Sequence, residues 1–540
     1  MTEVSQSDVE ATDPPAQAAL ARALLEPAVY GLDAGAVTAL ETHTSHVFLA
    51  GPRVYKIKKA VDLGFLDFRS LPARHFFCLE ELRLNRRFAP DLYLGLTAIT
   101  GTPRQPVLGG SGEVIEWAVT MRRFPQEQRL DELLAAGRLG PALIDELALM
   151  LARVHAGIAV ATDADAFGTP EAVREPALEN FVQLGELLDD PMDAFELTLL
   201  RDWTAGTYKN LHREFAARKQ AGFVRECHGD LHLANIALVQ GAVTLFDCLE
   251  FSAALRWIDV MNDMAFLLMD LQSKRCDALA QRLLNHYLER TGDYAGLKVL
   301  DFYRVYRALV RAKVACLSAG QTQDEAERRS RREEYHAYVA LAKSFTQQPA
   351  PVLIITHGLA GSGKTTGSQA LLELIGAVRI RSDVERKRLA GVAALARTGS
   401  GLGQGLYTAD ASARTYEQLL FLAREIIAAG YSVIVDAAFL KRAQRDAFRA
   451  LADALRIPFW IVDFSADENL LRERVQQRAA QLGDASEADA DVLSHQIASE
   501  EPLAESERGC VFRCDAAALA ASDATLFWAP LLLRLRDAHG

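Results

Sequence analysis

The 540-residue chain has few cysteines, no long apolar run and no excess of basic residues. Its seven cysteines are scattered and form no CxxC pair, which favours reduced thiols over a disulfide framework or a zinc site. No stretch of about 18 uncharged apolar residues occurs, so a membrane-spanning helix is not expected. The first residues, MTEVSQSDVEATDPP, are acidic and lack the apolar core of a secretory signal. These absences together predict a cytoplasmic protein.

Acidic residues outnumber basic ones by 71 to 59, which gives a formal net charge of -12. Proteins that hold long nucleic acids by their phosphates generally carry a basic excess or a basic stripe. The charge balance therefore disfavours a nucleic-acid partner and favours a small-molecule one. It does not predict an oligomeric state.

The length of the chain exceeds what one ordinary hydrophobic core supports, so several domains are expected. A charged helical stretch ends near residue 343 and is followed by the polar, proline-bearing segment SFTQQPAP. We therefore predict a loose tail over residues 1–20, one domain over 21–345 and another over 346–540.

The two predicted domains differ in their patterns. In the second, short β-rich runs such as PVLIIT and SVIV alternate with helical stretches, which is typical of an α/β domain with a parallel sheet. In the first, HVFLA, the turn GPR and VYKIKK indicate a β-hairpin, and mostly helical sequence follows from residue 140. Strands before helices predict a small sheet lobe followed by a helical lobe.

The segment GLAGSGKT, residues 358–365, fits the phosphate-loop pattern G-x-x-x-x-G-K-[ST]. Glycines let main-chain N–H groups turn towards an anion, and the N-terminus of the following helix adds a positive dipole. Lys364 is predicted to reach the β- and γ-phosphates of ATP, and the Thr365 hydroxyl to bind Mg²⁺. The residues predicted to contact the nucleotide are Gly358, Gly361, Ser362, Gly363, Lys364, Thr365 and Thr366.

Two carboxylates follow β-rich runs of the same domain. Asp436 ends SVIVD, where a carboxylate would help to hold the Mg²⁺, although a capping or turn aspartate remains an alternative. Asp383 ends the predicted strand VRIRSD and could accept a proton from a substrate hydroxyl, while Arg386 could hold an anion. The alternative is an ordinary surface pair.

Arg474 and Arg478 lie four residues apart and therefore share one helix face. In a kinase they would belong to a lid that neutralises charge in the transition state, and a solvated charged face is the alternative.

Together these motifs resemble those of small AAA-type P-loop kinases, the group of polynucleotide 5′-kinases, zeta-type toxins and gluconate-kinase-like enzymes. The resemblance implies that Asp383 is the catalytic base, that Arg386 binds substrate phosphate and that Arg474 and Arg478 are catalytic lid arginines. It does not imply an acceptor.

In the first domain, His228-Gly-Asp230-Leu-His-Leu-Ala-Asn235 matches the spacing of H-R-D-x-x-x-x-N, and Asp247 follows twelve residues later on an apolar strand. With this spacing, Asp230 can orient or deprotonate an acceptor hydroxyl, while Asn235 and Asp247 bind Mg²⁺. His228 is expected to support the loop rather than to transfer protons.

This loop resembles that of the aminoglycoside phosphotransferase and choline-kinase-like superfamily. The resemblance implies a bilobal protein-kinase-like fold, and it places Lys56 of VYKIKK against the α- and β-phosphates of ATP. A helix glutamate should pair with Lys56, and of Glu80 and Glu81 we favour Glu81. The alternative is a solvated basic strand edge.

The sequence thus predicts an ATP- and Mg²⁺-dependent phosphotransferase with two kinase modules, each acting on a hydroxyl of a small molecule. The fold class is mixed α/β and α+β, a kinase-like domain followed by a P-loop domain with a parallel sheet. One alternative is an ATP-binding regulator or scaffold with one active half. Another is a C-terminal half that acts on nucleotide or nucleic-acid 5′-hydroxyls.

Overall fold

A computed structural model describes residues 14–32, 37–62, 64, 66–347, 349–393, 396, 408–480 and 490–537. The described chain divides into two compact units. The first unit holds the residues up to Leu139 together with Val154–Ala172 and Lys219–Asp263. The second unit holds Gly140–Arg153, Val173–Arg218 and the residues from Met264 onward.

The first unit is built on an antiparallel six-stranded sheet with the strand order β1-β2-β3-β6-β4-β5. The strands are β1 (Thr38–Glu41), β2 (Ser45–Ala50), β3 (Arg53–Lys58), β4 (Tyr93–Thr102), β5 (Gln105–Leu108) and β6 (Val114–Arg122). Two further antiparallel pairs are β7 (Val224–Glu226) with β10 (Trp257–Asp259), and β8 (Ile236–Val239) with β9 (Ala242–Leu245). Its helices are α1 (Pro14–Ala23), α2 (Leu71–Asn85), α3 (Leu130–Ala135) and α7 (Ala253–Arg256).

The predicted hairpin is confirmed, because β2 and β3 pair antiparallel with Val47 opposite Lys56. Helix α2 begins after Ser70, whose hydroxyl accepts a hydrogen bond from the Ala73 N–H at 3.3 Å. Such a cap satisfies one of the helix's first N–H groups. Strand β3, which carries Lys56 and Lys58, and helix α2, which carries Glu81, therefore lie in the same unit.

Residues 14–20 differ from the predicted tail, because they form the first part of α1. Leu20 is buried and packs with Phe48 and Ile57 of the sheet. The Gln17 side-chain amide donates to the Lys58 carbonyl at 3.0 Å. Leu20 and the buried Gln17 amide therefore hold this segment against the sheet, although its composition alone suggested a loose tail. Residues 1–13 lie outside the described residues.

The N-terminal half of the chain also contributes seven longer helices, as the helical pattern after residue 140 predicted. They are α4 (Pro141–Gly157), α5 (Pro170–Leu187), α6 (Pro191–Gln220), α8 (Val260–Ser273), α9 (Asp277–Thr291), α10 (Leu297–Gln321) and α11 (Glu325–Phe345). The division between the two units falls within α4, α5, α6 and α8. In the second unit, side chains such as Phe266, Leu309 and Tyr338 form one buried cluster.

The second unit carries a five-stranded parallel sheet with the order β12-β13-β11-β14-β15. Its strands are β11 (Leu353–His357), β12 (Val378–Arg381), β13 (Val433–Asp436), β14 (Phe459–Ser465) and β15 (Val511–Asp515). The helices are α12 (Lys364–Ile375), α13 (Ser382–Leu389), α14 (Ala409–Ala428), α15 (Arg442–Leu455), α16 (Glu468–Ala480), α17 (Ala490–Ser499), α18 (Ala516–Ala521) and α19 (Ala524–Asp537). The predicted parallel α/β sheet is confirmed.

Strands β11 and β13 of this sheet are buried along their whole length, which explains their continuous apolar runs. Ile354, Ile434 and Trp528 belong to the core on one side of the sheet. Among the described residues, no helix combines the length and the apolar character that a membrane span needs. The carboxyl ends of β11, β12 and β13 lie at one edge, where a phosphate loop between β11 and α12 opens.

Candidate active sites

In the first unit, the loop of residues 228–235 places its predicted catalytic groups in direct contact. The Asn235 side-chain amide donates to the main-chain oxygen of Asp230 and to its Oδ2, both at 3.0 Å. His232 Nε2 lies 3.4 Å from the same carboxylate. Because Asn235 donates through Nδ2, its Oδ1 is the atom suited to a cation. The Asp230 side chain keeps 40% of its surface exposed, so an acceptor could reach it.

His228 supports this loop from the inside. Its Nε2 lies 2.9 Å from the Phe246 carbonyl oxygen, and its Nδ1 accepts a hydrogen bond from the Asp230 N–H at 3.3 Å. Burial lowers the pKa of the imidazole, although Asp263 and Asp230 oppose this shift. A neutral ring with one donor and one acceptor fits both contacts.

Asp263, near the start of α8, holds the loop's main chain and was not predicted from the sequence. Its carboxylate accepts the N–H groups of His228 and Gly229 at 3.1 and 3.0 Å. Gly229 has φ +83°, and a Cβ there would lie 3.0 Å from the Leu255 carbonyl oxygen. The glycine therefore replaces the arginine of H-R-D where the backbone is left-handed and crowded.

Lys56 and Lys58 share a face of β3, and both reach the buried Glu81 of α2. Lys56 Nζ lies 3.0 Å from Glu81 Oε1, and Lys58 Nζ lies 2.8 Å from Glu81 Oε2. Lys56 also pairs with Asp247, and Lys58 with Glu250. Burial alone would raise the pKa of Glu81, but the charges of Lys56 and Lys58 hold it below its usual value.

Glu80, the alternative partner for Lys56, lies elsewhere. Its carboxylate pairs with Arg83 at 2.9 Å and with Arg256 at 3.3 Å.

Asp247 follows β9 with a left-handed φ of 60°. Its N–H donates to the Tyr93 hydroxyl at 3.0 Å, and its side chain is 41% exposed. The unusual backbone at Asp247 turns a carboxylate towards Lys56.

In the second unit, residues 358–365 join β11 to α12 as the phosphate-loop pattern predicts. The three glycines of this loop have φ values of +137°, +83° and +90° at Gly358, Gly361 and Gly363. A Cβ on Gly358 would lie 2.4 Å from the Phe464 carbonyl oxygen. Lys364 Nζ donates to the carbonyls of Gly358 and Leu359 at 2.8 and 2.7 Å.

Other predicted groups of the loop are also placed. Ser362 is buried, with its Oγ 3.5 Å from Lys364 Nζ, and Thr366 is exposed in the first turn of α12. The Thr365 hydroxyl donates to Asp436 Oδ2 at 2.8 Å. Asp436 is the last residue of β13, so the structure brings two predicted cation ligands together.

Asp383 and Arg386 lie on α13, and Arg386 Nη1 donates to Asp383 Oδ1 at 3.2 Å. The strand predicted to end at Asp383 ends at Arg381 instead, so Asp383 falls in the first turn of the helix. A carboxylate is favoured in that first turn because the helix N-terminus carries positive partial charge.

A cleft of about 770 Å³ opens beside the loop of residues 358–365. Lys364, Thr365, Asp383, Arg386 and Asp436 all line it. The cleft therefore collects the predicted nucleotide and acceptor groups of this unit on one surface.

The two predicted lid arginines are placed differently. Arg474 Nη1 donates to the Gly361 carbonyl at 3.3 Å, which puts it against the phosphate loop. The Arg478 side chain and the segment 481–489 lie outside the described residues.

Comparison with known proteins identifies both halves. Residues 103–300 match the phosphotransferase enzyme family, and residues 353–503 match an AAA domain. A protein of Mycobacterium tuberculosis, described only as uncharacterised, is 33% identical over 456 residues, which are 84% of this chain and 89% of that protein. The chain belongs to the family of this mycobacterial protein. In this chain a phosphotransferase-type domain precedes a P-loop kinase domain, so the predicted resemblance is confirmed.

Solved structures resemble separate parts of this family member. An ethanolamine kinase of Plasmodium vivax covers 57% of this chain and 83% of its own chain, with 10% identity and a TM-score of 0.36. A gluconokinase of Sinorhizobium meliloti covers 36% of this chain and 95% of its own, with 22% identity and a TM-score of 0.24.

Beyond Asp263, sequence reasoning missed the arginines of β12 in this family member. Arg379 Nη1 donates to the Thr365 carbonyl at 3.0 Å, and Arg381 Nε lies 3.7 Å from Asp436 Oδ2. The alternation of apolar and basic residues in VRIR is the signal that could have marked them. These contacts put positive charge beside both predicted cation ligands.

Proposed function

We propose that this protein is an ATP-dependent phosphotransferase in which both kinase-like domains transfer the γ-phosphate of ATP to a hydroxyl of a small molecule. One observation carries the proposal: in each half, a predicted phosphate- or cation-binding side chain already contacts the carboxylate that it would need. These pairs are Lys56 with Glu81 and Thr365 with Asp436.

The oxygen donors at both sites suit Mg²⁺, which prefers carboxylate, amide and hydroxyl oxygens. Asn235 Oδ1 and Asp247 would hold it in the first unit, and Thr365 and Asp436 in the second. A bound Mg²⁺ would reduce the charge on the β- and γ-phosphates during transfer.

In the first unit, Lys56 would bind the α- and β-phosphates while Glu81 keeps its ammonium group in place. Asp230, oriented by the Asn235 amide, would accept the proton of the acceptor hydroxyl as that oxygen attacks the γ-phosphorus. The bond between the γ-phosphorus and the bridging β-phosphate oxygen would break, and ADP would leave. Asp263 and His228 would keep the loop rigid, so the attacking oxygen is aligned rather than freely mobile.

In the second unit, Lys364 would leave the carbonyls of Gly358 and Leu359 to bind the β- and γ-phosphates. Asp383 would accept the acceptor's proton, and Arg386 would hold an anionic group of that acceptor. Arg474 would neutralise charge in the transition state, with Arg478 as the second predicted lid residue.

Transfer of labelled γ-phosphate to a library of hydroxyl-bearing metabolites tests the proposal. We expect Asp230→Asn to remove one set of products and Lys364→Ala to remove another, while the double variant removes both. Loss of products in only one single variant would indicate a regulator with one active half. Unchanged transfer in the double variant would refute the proposal.

A second candidate, transfer to nucleotide hydroxyls in the C-terminal half, is favoured by the cations Arg381, Arg386 and Lys441 that line the cleft. Cations at this position suit an acceptor that carries phosphate. Nucleosides and nucleoside 3′-phosphates in the same library test it. Products that appear only with the phosphorylated members and require Lys364 would support this candidate.

A further inference from the structure

Helix α9 covers the edge strand β12 of the parallel sheet within the second unit. The Gln281 and Asn285 side-chain amides donate to the Ala377 carbonyl at 2.7 and 3.0 Å, and Asn285 Oδ1 accepts the Arg379 N–H at 2.7 Å. Side chains of a helix thus take the place of a neighbouring strand. Such cover satisfies main-chain groups that an edge strand would otherwise present to water.

One turn beyond Asn285, α9 presents Glu289 to both arginines of β12. Its Oε1 accepts hydrogen bonds from Arg379 Nε and Nη2 at 3.1 and 2.9 Å. Its Oε2 lies 3.7 Å from Arg381 Nη1. A single carboxylate therefore pairs with two cations that project from the same strand face, as the period of two requires.

Each arginine also contacts a group of the proposed cation site. Arg379 reaches the Thr365 carbonyl and the Ser368 hydroxyl at 3.0 and 3.2 Å. Arg381 Nε lies 3.7 Å from Asp436 Oδ2, the oxygen that accepts the Thr365 hydroxyl. Glu289 is thus two contacts away from both Thr365 and Asp436.

The environment keeps Glu289 charged. Its side chain is 10% exposed and that of Arg379 is 2% exposed. Burial alone would raise the pKa of Glu289, but Arg379 and Arg381 hold it below its usual value. Breaking a buried ion pair by removing one partner leaves an uncompensated charge that must find another partner.

We infer that Glu289 is a positioning residue of the phosphate-loop site, which holds Arg381 away from Asp436 and so leaves that carboxylate available to a divalent cation. This inference rests on the proposed ATP site of the second unit. Glu289 lies in the stretch that matches the phosphotransferase family, whereas Arg379, Arg381 and Asp436 lie in the stretch that matches the AAA domain. The P-loop site therefore depends on a residue from the other half of the chain.

Without Glu289, the guanidinium of Arg381 has Asp436 as its nearest carboxylate partner among these groups. A closer Arg381–Asp436 pair competes directly with a cation for Oδ2. The cation must then be present at a higher concentration to take that oxygen, while the loop glycines and Lys364 are unchanged.

The test measures how Mg²⁺ concentration affects binding of a fluorescent ATP analogue to the full chain. All proteins carry Asp247→Asn, which removes the first unit's cation-binding carboxylate. The binding that is lost when Lys364→Ala is added is assigned to the second unit. We expect Glu289→Gln to raise the half-saturating Mg²⁺ concentration about five- to tenfold, which lies within the range of coupling measured between residues in one network. Adding Arg381→Gln should abolish this shift.

Glu425→Gln is the matched control, because Glu425 pairs with Lys298 at 2.7 Å within the same unit but contacts neither arginine of β12. It should leave the Mg²⁺ dependence unchanged. If Glu289→Gln does not fold, as judged by its melting transition, Glu289→Asp replaces it. The shorter aspartate side chain keeps the charge but places it farther from Arg381. We therefore expect the half-saturating Mg²⁺ concentration to rise about two- to threefold.

If the Mg²⁺ dependence of binding is the same in the Glu289 and Glu425 variants, the inference is overturned but the proposed ATP site is not. A Glu289→Gln shift that persists undiminished in the Arg381→Gln protein would have the same consequence. If the protein that carries only Asp247→Asn shows no binding that depends on Lys364, the proposed function of this unit fails, and the inference fails with it.

Discussion

Lys56 and Lys364, the two lysines that we assign to ATP phosphates, are held in opposite ways. Lys56 lies on a strand between the carboxylates of Glu81 and Asp247. Burial alone would lower its pKa, but these charges raise it well above the usual value. Lys364 instead rests on two main-chain carbonyls of its own loop.

The difference concerns what each lysine must give up to bind a phosphate. The carbonyls beneath Lys364 are neutral, so a doubly charged phosphate competes with them easily. The carboxylates around Lys56 are charged and Glu81 is buried, so the lysine is part of the folded structure as well as of the site. We therefore expect Lys364 to matter for binding alone, and Lys56 for both binding and stability.

The largest expected effect comes from Lys364→Ala. Because charge-assisted hydrogen bonds to two phosphates are lost, ATP affinity at this site should fall about 100-fold, measured by titration calorimetry in an Asp247→Asn protein. The melting temperature should stay within about 2 °C of the parent. Lys343→Ala, which removes an ion pair with Glu196, should leave affinity unchanged, and equal affinities for both variants would contradict our assignment.

Next in size is Lys56→Met, which leaves Asp247 and one side of Glu81 without their cation. We expect the first unit to lose about 2–3 kcal/mol of unfolding free energy, measured by calorimetric and denaturant unfolding. Adding Asp247→Asn should restore part of that loss, because it removes one of the unpaired charges. If Lys56→Met left stability unchanged, the two lysines would not differ in the way that the structure indicates.

Both lysine sites contain parts that the sequence predicts and parts that it does not. The loop 228–235 and the loop 358–365 are predictable because their chemistry lies in consecutive residues with fixed spacing. The family resemblance predicted a helix glutamate as the partner of Lys56, but it did not decide between Glu80 and Glu81, since either satisfies the helix pattern.

The missed residues act across long sequence separations. Asp263 holds a loop 34 residues earlier, and Glu289 pairs with Arg379 90 residues later. Neither residue lies in a recognisable motif. From the sequence alone, a helix carboxylate that makes a buried contact cannot be distinguished from a helix carboxylate that faces solvent. Their contacts follow only from how the elements pack, which hydrophobic periodicity does not specify.

A smaller effect is expected at two glycines with left-handed backbone, Gly229 in the loop of residues 228–235 and Gly376 at the C-terminal end of α12. Gly229→Ala places a Cβ 3.0 Å from the Leu255 carbonyl at φ +83°, whereas at Gly376, with φ +67°, no heavy atom lies within 4 Å of the added Cβ. We expect Gly229→Ala to cost about 2 kcal/mol and Gly376→Ala about 1 kcal/mol, measured by denaturant unfolding. Equal costs would mean that backbone conformation, not crowding, selects the glycine in the first unit's loop.

The smallest expected effect is the pH dependence that His228 confers on the first unit. Its folded-state pKa is lowered from 6.5, first because the ring is buried. Between that value and 6.5 the unfolded chain binds a proton that the folded chain does not, so stability is complete above 6.5 and is lost as pH falls through this window. His228→Gln offers the same loop one acceptor and one donor but does not titrate.

The melting temperature of the parent should therefore drop by about 1–3 °C more than that of His228→Gln between about pH 7.5 and about pH 5.5. His46 and His286, whose pKa values burial also lowers, are present in both proteins, so their contributions cancel in the difference. Parallel pH profiles would show that His228 is protonated as readily in the folded chain as in the unfolded one. The neutral ring between Phe246 and Asp230 would then be the wrong description of how this loop is held.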